Sequence, residues 1–507
     1  MHPLFKKLAG QTALYGVSTI VGRLLNYLLF PVYVRIFLPQ EYGVVTEFYS
    51  YVSFLFVVFT YGMETAYFRF SSTENDGKKV FDTATISLLI SSIALVGIIF
   101  CFSQSIANWL RYPNHVEYIQ WFALVLGFDA LTAVPFAKLR QENRPLKFAF
   151  FKLIGIGLTV FLNLFILVAL PGSYTKNYLH FLQPLADLIY QKENGISYVF
   201  IINLIASITT FLLFLPQWFR FSFHFNKDLW KRMMRYALPL IIVGLAGMVN
   251  ETMDRILLKF NLPGSTDYVQ AQVGIYGACY KLSLLLSLFV QAFRMAGEPF
   301  FFGESKKTNA RNTYSMVMNY FTIVCCFIFL MIMLYINFFK HLLSPPYYSG
   351  LAIVPILLIA NLCLGVYYNL TIWYKLTGKT IMGAYISAGG AIVTLLLNYY
   401  TIPRIGFMGS AWTTLICYAS MMIASYILGQ KYFPVPYQLT KFLVYLFSSL
   451  GLYAVSYFFI GEQFSDFLQF VLNSIMMLVF LVLVYLIEIK KLLPPLSPNQ
   501  AETTATL

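Results

Sequence analysis

Apolar residues fall in long blocks along this chain, and short polar segments rich in lysine and arginine separate them. Fourteen blocks are long enough to cross a hydrocarbon core of about 30 Å as helices. They span about 12–37, 44–68, 82–106, 116–137, 147–170, 196–216, 237–259, 272–296, 313–338, 351–373, 381–401, 408–429, 440–461 and 467–487. Helices are required, because lipid offers no partner to loose backbone groups. The first block is flanked by others of its kind and lacks an A-x-A cleavage pattern. It therefore reads as a span, not as a signal peptide.

Two connections are more than turns. Residues 173–194 carry Tyr174, Tyr178, Phe181, Leu185, Leu188 and Ile189 at helical spacing, which predicts an outer helix lying on the membrane surface. Residues 217–236 mix Phe219, Phe221, Phe223 and Phe225 with basic residues, the pattern of an interfacial linker on anionic headgroups.

Composition agrees: 59% of residues are hydrophobic and 11% charged, against roughly 25% charged in soluble domains. This excludes disorder, a disulfide-stapled secreted domain and an ordinary soluble enzyme, and predicts an all-α polytopic membrane protein. The net charge of +14 is spread between apolar blocks and forms no patch for nucleic acid. With the N-terminus in the cytoplasm, 24 of the 35 basic residues fall on the inner side and seven on the outer side, Arg35 and Lys259 among them. That bias predicts an even number of spans with both termini inside.

Known chemistry lacks its parts. Cys101, Cys279, Cys325, Cys326, Cys363 and Cys417 lie within apolar blocks and form no CxxC, so they read as small hydrophobes. There is no HExxH, no P-loop and no GxSxG. No catalytic and no metal-binding residue is assigned. The longest loop, about 171–195, offers only Asp187 and Glu193 as acids, too few for an embedded glycosyltransferase or polymerase.

The two sides of the chain resemble each other. Arg35-…-Leu38-Pro39 recurs as Lys259-…-Leu262-Pro263 at an offset of 224, and Asn26 falls on Asn250. At an offset of 234, Tyr42-Gly43 matches Tyr276-Gly277, Phe59 matches Phe293 and Glu64 matches Glu298. Lys138-Leu139 and Lys375-Leu376 each precede a Leu-Asn pair, Leu162-Asn163 and Leu397-Asn398. Six spans followed by six in the same orientation make a parallel repeat about an axis along the membrane normal. Transporters of this design bind substrate between the halves.

Several segments together carry a family resemblance: Tyr236-Ala237-Leu238-Pro239-Leu240, Asp254-Arg255, Val273-Gly274-Ile275-Tyr276, Lys281-Leu282 and Ile402-Pro403-Arg404-Ile405-Gly406-Phe407. Leu38-Pro39-Gln40-Glu41-Tyr42-Gly43 fits as well. Over about 1–430 the chain resembles the polysaccharide-biosynthesis (Wzx-type) flippases of the multidrug/oligosaccharidyl-lipid/polysaccharide (MOP) exporter superfamily. The resemblance implies two six-helix lobes, here 1–217 and 218–430, forming a V. A further helix pair over 431–489 and a cytoplasmic tail over 490–507 would follow. It also implies that a polyprenyl-diphosphate-linked oligosaccharide, such as an O-antigen repeat unit of lipopolysaccharide, crosses the bacterial cytoplasmic membrane by alternating access. The expected partners are the lipid-linked sugar and membrane lipids, with no nucleic acid; the chain is expected to act as a monomer, with polysaccharide polymerase machinery a potential neighbour. No cofactor is expected, and direction is expected to come from a proton or sodium gradient or from the downstream use of product. A peptidoglycan-precursor (lipid II) flippase and a cation-coupled multidrug exporter of the same fold are the alternatives.

Charges within spans are costly, about 2.5–3.5 kcal/mol each on insertion scales, so they should face a cavity or a partner. Arg23 lies eleven residues into the first span, too deep to snorkel easily. It is a candidate ligand for diphosphate, or an ion-pair partner for Asp129. Arg255 has Glu251 at i−4 on its own face, whereas Asp254 points elsewhere. With Lys281 at similar depth, these four make either a self-neutral structural network or a headgroup site. Arg294 and Glu298 are an i, i+4 pair near the cytoplasmic end, and Glu64 takes the equivalent place in the first half, with Arg69 five residues on. They are an inner gate, or ordinary interfacial snorkelling. Glu47 and Arg35 lie near the outer surface and read as solvated. The substrate-binding set is thus Arg23, Arg255, Lys281 and Arg294. The ion-coupling or gate set is Glu64, Asp129, Glu251, Asp254 and Glu298. A drug exporter would concentrate acids in the first half, where here Asp129 alone is deep beside Arg23; that favours an anionic substrate.

Overall fold

The computed structural model describes residues 21–22, 24–25, 27–74, 76–175, 177–191, 194–219, 221–305, 307–460 and 464–488. Among them thirteen helices are long and apolar enough to cross a membrane. After a short helix α1 (Phe30–Ile36) come α2 (Pro39–Thr73), α3 (Gly77–Cys101), α4 (Val116–Gln141), α5 (Pro145–Gly172), α6 (Gly195–Leu213) and α7 (Lys227–Asn261). Then follow α8 (Thr266–Glu304), α9 (Ala310–Leu334), α10 (Pro345–Leu376), α11 (Thr380–Ile405), α12 (Phe407–Tyr432), α13 (Leu439–Ile460) and α14 (Asp466–Glu488). These are the second to fourteenth apolar blocks. Most of the first block lies outside the described residues, and α1 is its described end. The chain is an all-α, multi-pass membrane protein.

Local chemistry sets the helix ends. Glu41 accepts from the backbone N–H of Leu38 at 2.8 Å and Pro39 opens α2, each suited to a first turn with orphan N–H groups. Asp76 caps α3 by accepting from the N–H of Lys78 and Lys79. Asn226 caps α7 through Leu229 N–H at 2.9 Å. Helices α7 and α8 run for 35 and 39 residues, well beyond the ~20 a bilayer needs. Their polar ends, Lys227–Tyr236 among them, stay helical past the hydrocarbon. Half of the expected linker over 217–236 is therefore the start of α7, and 221–226 is irregular. The outer segment 173–194 is helical but short, a 3-10 turn (Asn177–Leu182) before a helix at Gln183–Ile189. Tyr178, Phe181 and Leu188 of this segment are exposed.

Helix α2 is interrupted. Its two pieces, Pro39–Thr60 and Met63–Thr73, meet at Tyr61 and Gly62, both in the left-handed region at φ +34° and +73°. Gly62 takes that conformation without penalty; Tyr61 takes it at a cost.

Chain contacts define two compact units. One contains 1–282, 343–354 and 380–421, and the other 283–342, 355–379 and 422–507. In the first, Met63, Tyr67, Phe81, Val134, Leu229 and Met233 form a core shared by α2, α3, α4 and α7. In the second, Phe301, Tyr314, Ile372 and Val435 form another. There the last helix pair is tied to α9: Asn473 donates to the carbonyl of Leu334 at 2.6 Å and accepts from Ser456 at 2.7 Å.

Candidate functional site

Four charged groupings stand out, three in the first unit and one in the second. The most enclosed surrounds Glu47, two turns into α2. Its side chain is 0% exposed and that of its partner Lys259, on α7, 1%. Lys259 donates to Glu47 at 2.7 Å and to the carbonyl of Leu110 at 2.5 Å. Tyr51, Tyr112 and Gln270 donate to the same carboxylate at 2.8, 2.6 and 2.9 Å. The Tyr112 ring stacks 3.9 Å from the ammonium. Burial, then the neighbouring Glu47 carboxylate, pushes the Tyr112 phenol well above the ordinary tyrosine value. The helices can meet here because α2 and α8 touch backbone to backbone: a Cβ on Gly43 would strike the Gln270 backbone, and one on Gly274 the Pro39 carbonyl. Glu47 is therefore not solvated as its sequence position suggested. The segment following α3 folds over it and supplies Leu110 and Tyr112. Arg35 is exposed.

The second grouping is on α7 and α8. Asp254 is buried; it accepts from the Tyr276 hydroxyl and, at 2.8 Å, from the backbone N–H of Arg255. The Arg255 guanidinium lies 3.9 Å from Asp254 and stacks 4.3 Å from the centre of the Tyr280 ring. The expected i−4 pair is not formed: Glu251 is exposed and the carboxylate at Arg255 is Asp254. The Asp254 side chain folds onto the N–H of the next residue and takes the Tyr276 hydroxyl, which holds its carboxylate beside Arg255. Lys281 is half-buried and makes no ion pair among the described residues. It lies close enough to Arg255 for the two cations to repel.

The third grouping pairs Glu64 on α2 with Arg140 at the end of α4. Arg69, expected near Glu64, instead stacks on Tyr236 at 4.3 Å. The fourth, in the second unit, pairs Glu298 on α8 with Lys375 at the end of α10, with Arg294 looser at 3.9 Å. Arg294 stacks over Tyr368 at 4.5 Å. A glutamate of the second span, Glu64, is thus held by a cation at the end of the fourth, Arg140, and in the second unit Glu298 of α8 is held by Lys375 at the end of α10. Asp129 lies beside Ser207 of α6. Arg23, its suggested partner, lies outside the described residues.

A model of the family described as "Polysaccharide biosynthesis protein" matches residues 8–303. The chain belongs to this family. No curated protein sequence matches it. Among solved structures it resembles the lipid II flippase MurJ in an inward closed conformation, at TM-score 0.65 and 15% identity over 93% of this chain and 99% of that one. An inward-facing MATE-family multidrug resistance transporter of the MOP superfamily aligns at TM-score 0.62 and 12% identity, covering 81% and 94% of the two chains. An outward-facing one aligns at 0.59 and 12%, covering 83% and 94%. The fold is that of MOP-type transporters.

In this polysaccharide biosynthesis family member, the residues that sequence reasoning missed are partners rather than centres: Lys259, Tyr112 and Gln270 around Glu47, Arg140 for Glu64, and Lys375 for Glu298. One signal was present for the last two, since the matched Lys138-Leu139 and Lys375-Leu376 mark the end of the fourth span in each half. Lys259 gave none, because a lysine at a helix end ordinarily faces water.

Proposed function

We propose that this protein is a flippase carrying a polyprenyl-diphosphate-linked oligosaccharide from the inner to the outer leaflet of the cytoplasmic membrane by alternating access, with both termini in the cytoplasm. The observation that carries this reading is Arg255 and Lys281, two neighbouring cations set within spans. Their acids do not neutralise them closely: Asp254 is held by Tyr276 and its own helix, Glu251 is exposed, and Lys281 makes no ion pair among the described residues. A guanidinium fork and a point-charge ammonium suit the oxygens of a diphosphate. Family membership supports polysaccharide precursors as the cargo class. Arg23 is assigned to the same substrate path from its depth in sequence. Glu64, Asp129 and Asp254 are the candidates for coupling to a proton or sodium gradient.

The test is a leaflet assay in a strain lacking the protein. Lipid-linked sugar should accumulate on the cytoplasmic leaflet, and wild type should clear it whereas Arg255→Ala/Lys281→Ala should not. Accumulation of the peptidoglycan precursor instead would reassign the substrate. Unchanged leaflet distributions of both lipids would overturn the flippase reading.

A further inference from the structure

A cavity of about 370 Å³ lies against the interruption of α2, within the first unit, in the size range of small-molecule sites. Its walls are Tyr61 from the interruption, Ile90 from α3, Phe225 from the irregular segment before α7, and Trp230, Met234 and Leu238 from the start of α7, with Ser87 and Ser91 behind them. The polar groups of the wall satisfy one another. Tyr61 Oη and Ser87 Oγ are 2.7 Å apart, Trp230 Nε1 donates to Ser87 at 2.8 Å, and Ser91 donates to Tyr61 at 3.3 Å. The surface left to a ligand is hydrocarbon. The cavity is open at the side, where Ile90 is 62% and Leu238 50% exposed.

Its place in the bilayer follows from the helices. Ser87 is ten residues from Gly77, a rise of about 15 Å, so the cavity runs from the basic end of α3 and α7 to about mid-membrane. Lys227, Trp230, Lys231, Met234 and Leu238 occupy positions i, i+3, i+4, i+7 and i+11 of α7, a single stripe. Two exposed lysines and a tryptophan thus stand at the mouth, on the same face as the apolar floor. Positive charge at the headgroup level above an apolar slot is complementary to a lipid with an anionic head and a hydrocarbon tail. The strained Tyr61 at the inner wall belongs with this reading, since interrupted spans are where transporters build sites.

We propose that this lateral groove between α3 and α7 seats the first isoprene units of the polyprenyl chain of a diphosphate lipid, with Lys227 and Lys231 at its phosphates. Aromatic and methionine side chains adapt to a branched, unsaturated chain. The proposal rests on the flippase reading in that it takes the substrate lipid as the occupant.

The experiment uses the full-length protein in nanodiscs and a polyprenyl diphosphate carrying a diazirine near its phosphate end. Photolysis and peptide mapping should place the label on Ile90, Met234 or Leu238. Ile90→Trp and Leu238→Trp, each at a site exposed enough to take an indole, should lower capture about tenfold, which is about 1.4 kcal/mol. Excess phosphatidylglycerol should leave capture unchanged. Displacement by phosphatidylglycerol would make this an ordinary membrane-lipid site and overturn the proposal. Capture confined to other helices, with translocation of lipid-linked sugar intact, would overturn the groove and leave the flippase standing. Loss of both capture and translocation in wild type would overturn both. Mapping on wild type decides the matter even where a tryptophan variant does not fold.

Discussion

Removing either partner of the Glu47–Lys259 pair should be among the most damaging single substitutions in the protein. Lys259→Met keeps the apolar stem and deletes the charge. The carboxylate then remains fully buried, with Tyr51, Tyr112 and Gln270 donating to it but no counter-charge. Breaking a buried pair in this way costs about 3–5 kcal/mol. Glu47→Gln leaves the ammonium with neutral partners and no counter-charge, the Leu110 carbonyl and the Tyr112 ring among them, and should cost a similar amount. The double variant buries two neutral groups in place of two charges, and such replacements run from neutral to stabilising. It should therefore lose far less than the singles combined, giving an interaction energy of several kcal/mol. The assay is the apparent melting temperature of detergent-solubilised protein at fixed scan rate, because large proteins often unfold irreversibly. A double variant whose loss equals the sum of the singles would refute the reasoning. So would a Lys259→Met protein that melts like wild type.

Gly274→Ala should destabilise by about 1–3 kcal/mol or prevent folding, because its new methyl meets the Pro39 carbonyl and the Gly43 nitrogen, backbone that cannot rotate away; expression and melting curves check this. The raised Tyr112 ionisation makes its contribution complete below about pH 10, and it fades as pH climbs toward the higher folded value. Wild-type melting temperature should accordingly fall more steeply above that pH than that of Tyr112→Phe. Arg255→Ala should abolish transport while costing only about 1–2 kcal/mol of stability, since Asp254 keeps Tyr276 and its backbone donor. Adding Glu251→Ala should recover none of it; recovery in melting would restore the i−4 pair. With the exposed Cys101 removed, a cysteine at Asn309 should label from the cytoplasmic side alone, and labelling from outside would reverse the topology.

The order of the second to fourteenth spans was legible in the sequence, and so was the fold class. A bilayer imposes its demand locally: every residue of a crossing helix must tolerate hydrocarbon, so a span is a continuous run that needs no partner to be recognised. The charges within spans could be named, but their partners could not. Glu47 meets Lys259 across 212 residues, and Glu298 meets Lys375 across 77. Which helices come side by side decides those meetings, and helix neighbours are chosen by packing that leaves no mark on either segment alone. Asp254 shows the same limit within one turn: i−4 spacing favoured Glu251 for Arg255, yet the Tyr276 hydroxyl and a backbone N–H fixed Asp254 beside it. The sequence determined what must be buried in lipid and where charge was out of place. Only the tertiary structure decided which charge answers which, because electrostatic pairing depends on distances of a few ångströms between segments that the chain holds far apart.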